Sequence, residues 1–193
     1  MPRAGLDQKT VLKVAAELVD VQGVDQLTLA QLASQLKIRT PSLYNYVDGL
    51  SGLKRDLAVL GIQELLTRFR RAAIGKTRDE AVMALANAYR AYAKEHPGLY
   101  ALSQQASDPD DSEWQAAGQE VVEIVLIVLA TYNLSQEDAL HAVRGLRSIV
   151  HGFVLLETSG GFGLALKVDE SFRRLVTIFI NGLRVGFLGS TAQ

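Results

Sequence analysis

Apolar positions recur at helical spacing along nearly the whole chain, and no stretch shows the strict alternation of a half-buried strand. Val11, Val14, Ala15, Leu18 and Val19 form one stripe, and Gly23 follows where a helix C-cap belongs, so a first helix is expected over about 7–22. In "TLAQ", Thr28 can accept the backbone N–H of Gln31 while the Gln31 side chain reaches back, a capping box that opens a second helix. Leu29, Leu32, Ala33 and Leu36 then fall on one face, and the helix ends near Leu36. After the turn Lys37-Ile38-Arg39, Thr40 is an N-cap candidate and Pro41 takes the first helical position, where its missing N–H costs nothing. This helix would be barely two turns, too short to stand alone in water.

Asp48 and Gly49 interrupt the pattern, and Ser51 can cap a long helix to about Ala73 with Leu53, Leu57, Leu60 and Leu65 as its apolar face. At 1.5 Å per residue it would run roughly 33 Å. A fifth helix over about 79–95 stops at "HPG", because Pro97 disfavours helix in His96. Further helices are expected over about 98–106, 112–132, 136–158 and 170–188, with Ser135 and Asp169 opening the last two. The pattern therefore reads as all-α with about nine helices. Residues 1–48 form a three-helix helix-turn-helix domain, and residues 49–193 form a larger helical bundle.

Composition narrows the class. Of 193 residues 48% are hydrophobic, enough for a substantial core, and the absence of cysteine excludes disulfides and thiolate metal sites. No signal peptide is read at the N-terminus, and the longest apolar run, Ile124 to Ala130, is far below the roughly 20 residues of a membrane span, so a cytoplasmic protein with no membrane partner is expected. The net charge of −1 hides an asymmetry: residues 1–78 carry +5 and residues 79–193 carry −6. Such a split points towards nucleic acid at the N-terminal part, although a solvated helix face would produce it too.

The short helices carry the sharper signal. Leu43 and Val47, four apart, can pack on Leu32, Leu36, Ile38 and the first helix. That leaves Thr40, Ser42, Tyr44, Asn45 and Tyr46 facing outwards or nearly so, with Pro41 starting the turn they share. In a helix-turn-helix the second helix enters the major groove, where Ser, Thr and Asn can hydrogen-bond base edges and tyrosine hydroxyls can reach phosphates. Arg39 could reach a guanine or a phosphate, and Thr28 suits a phosphate contact.

"LTLAQLASQLKIRTPSLYNYVDGLSGLKRDL" resembles the DNA-binding segment of the tetracycline-repressor-like (TetR/AcrR) transcriptional regulators over about residues 8–60. The resemblance implies a homodimer on a palindromic double-stranded operator, with a bundle that dimerises and binds a small-molecule effector whose arrival swings helix 4 and releases the DNA. It also implies DNA contact at Thr28, Arg39, Thr40, Ser42, Tyr44, Asn45 and Tyr46. Two positions depart from the family pattern. Lys37 stands where the family usually has a glycine, and a left-handed non-glycine costs about 1 kcal/mol. Asp48 and Leu50 stand where a phosphate-binding lysine is common, so that contact is lost or moves to Lys54.

In the bundle, Arg144, Arg147 and His151 share one side of the eighth helix. "VHGF" followed by "FINGL" resembles a TetR subgroup whose C-terminal domain is marked by Trp-His-Gly, with Val150 in place of the tryptophan. Phe69, Tyr89, Tyr92, Tyr100 and Trp114 supply aromatic surface with polar tips, and with Arg147 and His151 they are the candidate effector-binding residues. Phe153, Leu156, Phe172, Leu175, Phe179, Gly182, Leu183 and Gly186 are candidates for a two-fold dimer interface formed by helices 8 and 9.

His96, His141 and His151 have no metal-ligand spacing and no companion triad, and "GGFG" lacks the strand-then-helix setting of a phosphate loop, so neither metal, cofactor nor catalysis is expected. The reading is a ligand-responsive DNA-binding regulator. The alternative is a helical ligand-binding or protein-interaction module that no longer reads DNA.

Overall fold

A computed structural model describes residues 6–105 and 108–185. Among them are nine α-helices and no strand: α1 Gln8–Gln22, α2 Leu29–Gln35, α3 Thr40–Leu43, α4 Gly49–Ala73, α5 Arg78–Glu95, α6 Pro97–Ser103, α7 Ser112–Leu129, α8 Gln136–Thr158 and α9 Val168–Val185. The all-α expectation holds, and α1, α2 and α8 carry side-chain caps that start them. Asp7 caps α1 through the Thr10 N–H at 2.8 Å, and the Ser135 hydroxyl accepts the Asp138 N–H at 3.1 Å to open α8.

Several boundaries differ from the sequence pattern. Ser51 does not cap α4; the helix already begins at Gly49, whose φ of 66° suits a residue without a Cβ. Pro97 starts α6 at its first turn instead of merely ending α5. Residues 130–132 close α7 as a 3-10 turn rather than extending it.

Packing divides the chain into two compact units. The first comprises the residues up to Glu64 together with Glu95–Gly118, and the second comprises Leu65–Lys94 with the residues from Gln119 onward. This division falls elsewhere than residue 48. Leu53, Leu57 and Ala58 of α4, with Leu99 and Leu102 of α6, share one buried core with Val11, Ala15, Val19, Leu32 and Leu43. The apolar faces of three short helices are too small to close a core alone, so neighbouring helices complete it.

In the second unit α8 packs on α9. Phe153 and Phe172 meet edge-on with ring centroids 5.0 Å apart, and Phe162 lies 4.7 Å from Phe153. Arg90 lies over the Phe172 ring at 4.8 Å and forms a bidentate pair with Glu157, at 2.7 and 2.6 Å. That guanidinium holds the Glu157 carboxyl below its ordinary range. Asp79 accepts hydrogen bonds from Arg184 and from the Tyr132 hydroxyl, joining α5, α9 and the turn after α7.

The expected dimer residues divide accordingly. Phe153, Phe172 and Leu183 are buried inside their own unit, since their stripe on α8 and α9 is the one that makes the intrachain core. Leu156 is exposed, Leu175 and Phe179 are half-buried, and Gly182 has open space around its Cβ position. Gly186 lies outside the described residues.

Candidate nucleic-acid interface

The reading corner is assembled from the bottom by backbone caps. Thr28 and Gln31 form the full reciprocal capping box: the Gln31 N–H reaches the Thr28 hydroxyl at 3.2 Å, and the Gln31 side-chain oxygen accepts the Thr28 N–H at 3.1 Å. The Thr28 hydroxyl also donates to that oxygen at 3.0 Å. Its single proton is therefore already engaged, and Thr28 can donate to a phosphate only by giving that bond up.

Lys37 closes α2 with φ of 55°, in the left-handed region. Its N–H bonds to the Ser34 carbonyl at 3.1 Å, and the Ile38 N–H bonds to the Ala33 carbonyl at 3.0 Å. This pair is the Schellman ending that a glycine normally serves. The turn keeps the expected geometry in spite of its lysine.

The Arg39 carbonyl accepts the Ser42 N–H at 2.9 Å, so Arg39 occupies the N-cap of α3 and Thr40 sits just inside, with Pro41 in the first turn. The expected two-turn helix is a single turn, Thr40–Leu43. It runs into a turn in which the Tyr46 and Val47 N–H groups both reach the Leu43 carbonyl, at 2.8 and 3.0 Å. Leu43 is fully buried and Val47 nearly so, pinning the segment to the core. Tyr44 is 63% exposed and Asn45 is exposed, with its amide Nδ2 donating to the Ser42 carbonyl at 3.2 Å. Arg39 and Pro41 are exposed, Thr40, Ser42 and Lys54 are half-buried, and Tyr46 packs partly against the core. One short turn thus presents hydroxyl, amide and aromatic groups together on a convex rim, held from beneath by two apolar anchors.

This arrangement agrees with what the chain is similar to. Residues 82–179 match the family described as the tetracyclin repressor-like C-terminal domain. An uncharacterised HTH-type transcriptional regulator of Mycobacterium tuberculosis, Rv0681, is 40% identical over 158 residues, covering 81% of this chain and 72% of its own. Another, YobS of Bacillus subtilis, is 33% identical over 185 residues, 95% of this chain and 96% of its own. The chain belongs to the TetR family of transcriptional regulators. Its fold also matches a TetR variant from Acinetobacter baumannii AYE solved in complex with minocycline, with a TM-score of 0.72 at 22% identity over 93% of this chain and 97% of that one. As a TetR-family protein it is a DNA-binding regulator built on a helix-turn-helix.

The residues suggested for effector binding lie in different places. Phe69 and Tyr89 meet edge-on at 6.1 Å in the second unit, and the Arg68 guanidinium lies 5.1 Å from the Tyr92 ring centre. Tyr100 and Trp114 belong to the first unit, where Trp114 packs against the core that holds Leu43. On α8, Arg147 is exposed and His151 half-buried; burial first, and the Arg147 charge second, push the His151 imidazole below its ordinary pKa.

Sequence reasoning missed two further sets. Asp20 of α1 receives the N-terminus of α6, and Arg55 of α4 grips Asp111 ahead of α7. The partners are 78 and 56 residues apart in the chain, beyond the reach of any local pattern. The one available signal was the glycine directly after Pro97. His96 pairs with Asp20 at 2.8 Å and His141 lies 3.8 Å from Glu137, so these two histidines serve separate neighbours.

Proposed function

We propose that this regulator is a ligand-responsive repressor that binds a pseudo-palindromic operator as a homodimer and leaves it when a small effector binds. The observation that carries the reading is the recognition turn: Leu43 and Val47 buried beneath, Tyr44 and Asn45 presented outwards. Residues 1–48 read DNA, with Arg39, Thr40, Pro41, Ser42, Tyr44, Asn45 and Tyr46 at the groove and Lys54 supplying a backbone contact. Residues 49–193 hold the effector and the partner subunit. Phe69, Tyr89 and Tyr92, with Arg147 and His151, are the groups of the second unit suited to a mostly apolar ligand with a polar end.

Support for a two-fold partner comes from apolar helices that their own chain leaves uncovered. The most apolar 18-residue windows within 112–132 and 136–158 have mean hydropathies of 1.3 and 1.2, yet only 22% and 33% of those windows are buried within the chain. On α8 and α9, Leu156 is 51% and Ile178 69% exposed, with Leu155, Leu175 and Gly182 nearby in the pattern. An isologous four-helix contact of α8 and α9 would cover them. These exposed positions replace Phe153, Phe172 and Leu183 in the proposed interface.

Tyr44→Ala and Asn45→Ala test the reading. Both residues are exposed, so each variant is expected to keep the unfolding midpoint and to lose specific DNA binding by about tenfold or more. Unchanged binding with a lowered midpoint would show that the tyrosine caps the core instead.

A further inference from the structure

We infer that Lys37 is a DNA-backbone contact: its ammonium grips a phosphate at the edge of the groove that Thr40–Val47 enters. The turn ahead of α3 thereby anchors the reading rim. The inference rests on the DNA-reading function proposed above and adds to it a residue outside the groove-facing set.

Three observations carry this. First, Lys37 stands where the backbone favours glycine. Among the described residues the chain places glycine at four left-handed positions, Gly23, Gly49, Gly75 and Gly160, and another residue type at three, Lys37, Arg78 and Asn133. Asparagine tolerates this region. The Arg78 guanidinium lies 5.3 Å from the centre of the Tyr132 ring, a partner that accounts for its side chain. Lys37 is exposed, and among the described residues its ammonium has no carboxylate, ring or hydrogen-bond partner. A side chain kept at a strained position without an internal partner points to a partner outside the chain.

Second, Lys37 is three residues ahead of Thr40, so the two Cα atoms are at most roughly 11 Å apart. The major groove is about 12 Å wide, so a turn that enters it has phosphate backbone within that distance on either side. An ammonium on a flexible stem, with three donors, suits a phosphate oxygen there. Arg39, also exposed, adds a second positive charge between Lys37 and the rim. Third, the opposite end of the rim is acidic. Asp48 is exposed, and its Cβ lies 2.9 Å from where a Cβ on Gly52 would stand, so its side chain sits against the first turn of α4. A carboxylate there repels phosphate from the opening of α4, and residues 49–53 supply no cation.

The salt dependence of binding tests the contact, with the full-length chain and a duplex that it selects itself. Lys37→Gly removes the charge and the strain, Lys37→Gln removes the charge and keeps the strained Cβ, and Lys37→Arg keeps the charge. The glycine and glutamine variants are expected to bind selected and random-sequence duplexes more weakly by one common factor, on the order of tenfold at 50 mM salt. Each lost phosphate contact lowers the slope of log affinity against log salt by about 0.9, so a dimer with one contact per subunit loses about 1.8. The advantage of the parent over either variant therefore shrinks roughly twelvefold between 50 and 200 mM salt. Lys37→Arg is expected to keep the parent slope. An unchanged slope in the glycine and glutamine variants would overturn the inference. So would a loss confined to the selected duplex, which marks base reading, or a loss in Lys37→Gly alone, which marks turn geometry. If the parent binds no duplex at low salt, the DNA-reading proposal falls and takes this inference with it; if the parent binds and the variants match it, this inference alone falls.

Discussion

Gly98 and Val19 are in backbone-to-backbone contact: an atom at the Cβ position of Gly98 would stand 2.3 Å from the Val19 carbonyl and 2.7 Å from the Asp20 nitrogen. Backbone cannot rotate away as a side chain can. Gly98→Ala is therefore expected to push α6 off α1 and to cost roughly 2–3 kcal/mol, as overpacking of a close contact does. Urea unfolding measures the loss. Substituting Gly118, whose Cβ position meets nothing within 4 Å, is the control that should cost far less.

Lys37 occupies the left-handed residue of the α2 ending at φ 55°. Lys37→Gly is expected to stabilise the protein by about 1 kcal/mol through relief of the Cβ clash, less the greater freedom glycine brings to the unfolded chain. Lys37 is exposed, so little packing is lost. A lowered unfolding midpoint would mean that the lysine makes a stabilising contact of its own.

Asp111 carries a pH dependence. Its hydrogen bonds from Arg55, and then the Trp114 N–H, lower its carboxyl from 3.8 to about 2. A depressed carboxylate contributes stability that is present above its unfolded pKa, near 4, and is lost as pH falls towards 2. The acid limb of the stability profile between these values should flatten in Asp111→Asn, while the neutral-pH plateau drops modestly because the pair is surface-screened. A parallel acid limb in the variant would assign the dependence to other carboxylates.

Glu157 and Arg90 are both mostly buried, with side chains 13% and 11% exposed. Glu157→Ala leaves the guanidinium buried beside Phe153 and Phe172 with, among the described residues, only the exposed Asp169 as a carboxylate partner. The expected cost is about 3 kcal/mol, near the low end for breaking a buried pair. Thermal unfolding of Glu157→Ala, beside an Arg90→Met/Glu157→Leu double variant, measures it; the double variant should recover most of the loss.

Features set by neighbouring residues were legible in the sequence. The Thr28–Gln31 box, the Ser135 cap and the short α2 all follow from chemistry within a few residues. The inward role of Leu43 and Val47 follows from a spacing of four. Arg39, by contrast, takes the cap in place of Thr40, because the first bond of so short a helix is an i to i+3 bond to Ser42. The aromatic stripe of α8 and α9 could face either a partner or its own core. Its period was readable, but its direction was fixed by the Phe153–Phe172 contact and by Arg90 from α5. Among the described residues Asp20 has no partner within reach of a local pattern; the groups it binds lie on α6. Contacts that link distant segments leave no local trace, and they are the ones that join the reading turn to α6 and α7.

Selection of duplexes from random DNA by the purified full-length chain tests the central claim most directly. The expected result is enrichment of one pseudo-palindromic sequence, bound by a dimer, with affinity falling steeply as salt rises. Failure to enrich any duplex at low salt, with folded dimer present throughout, would contradict it.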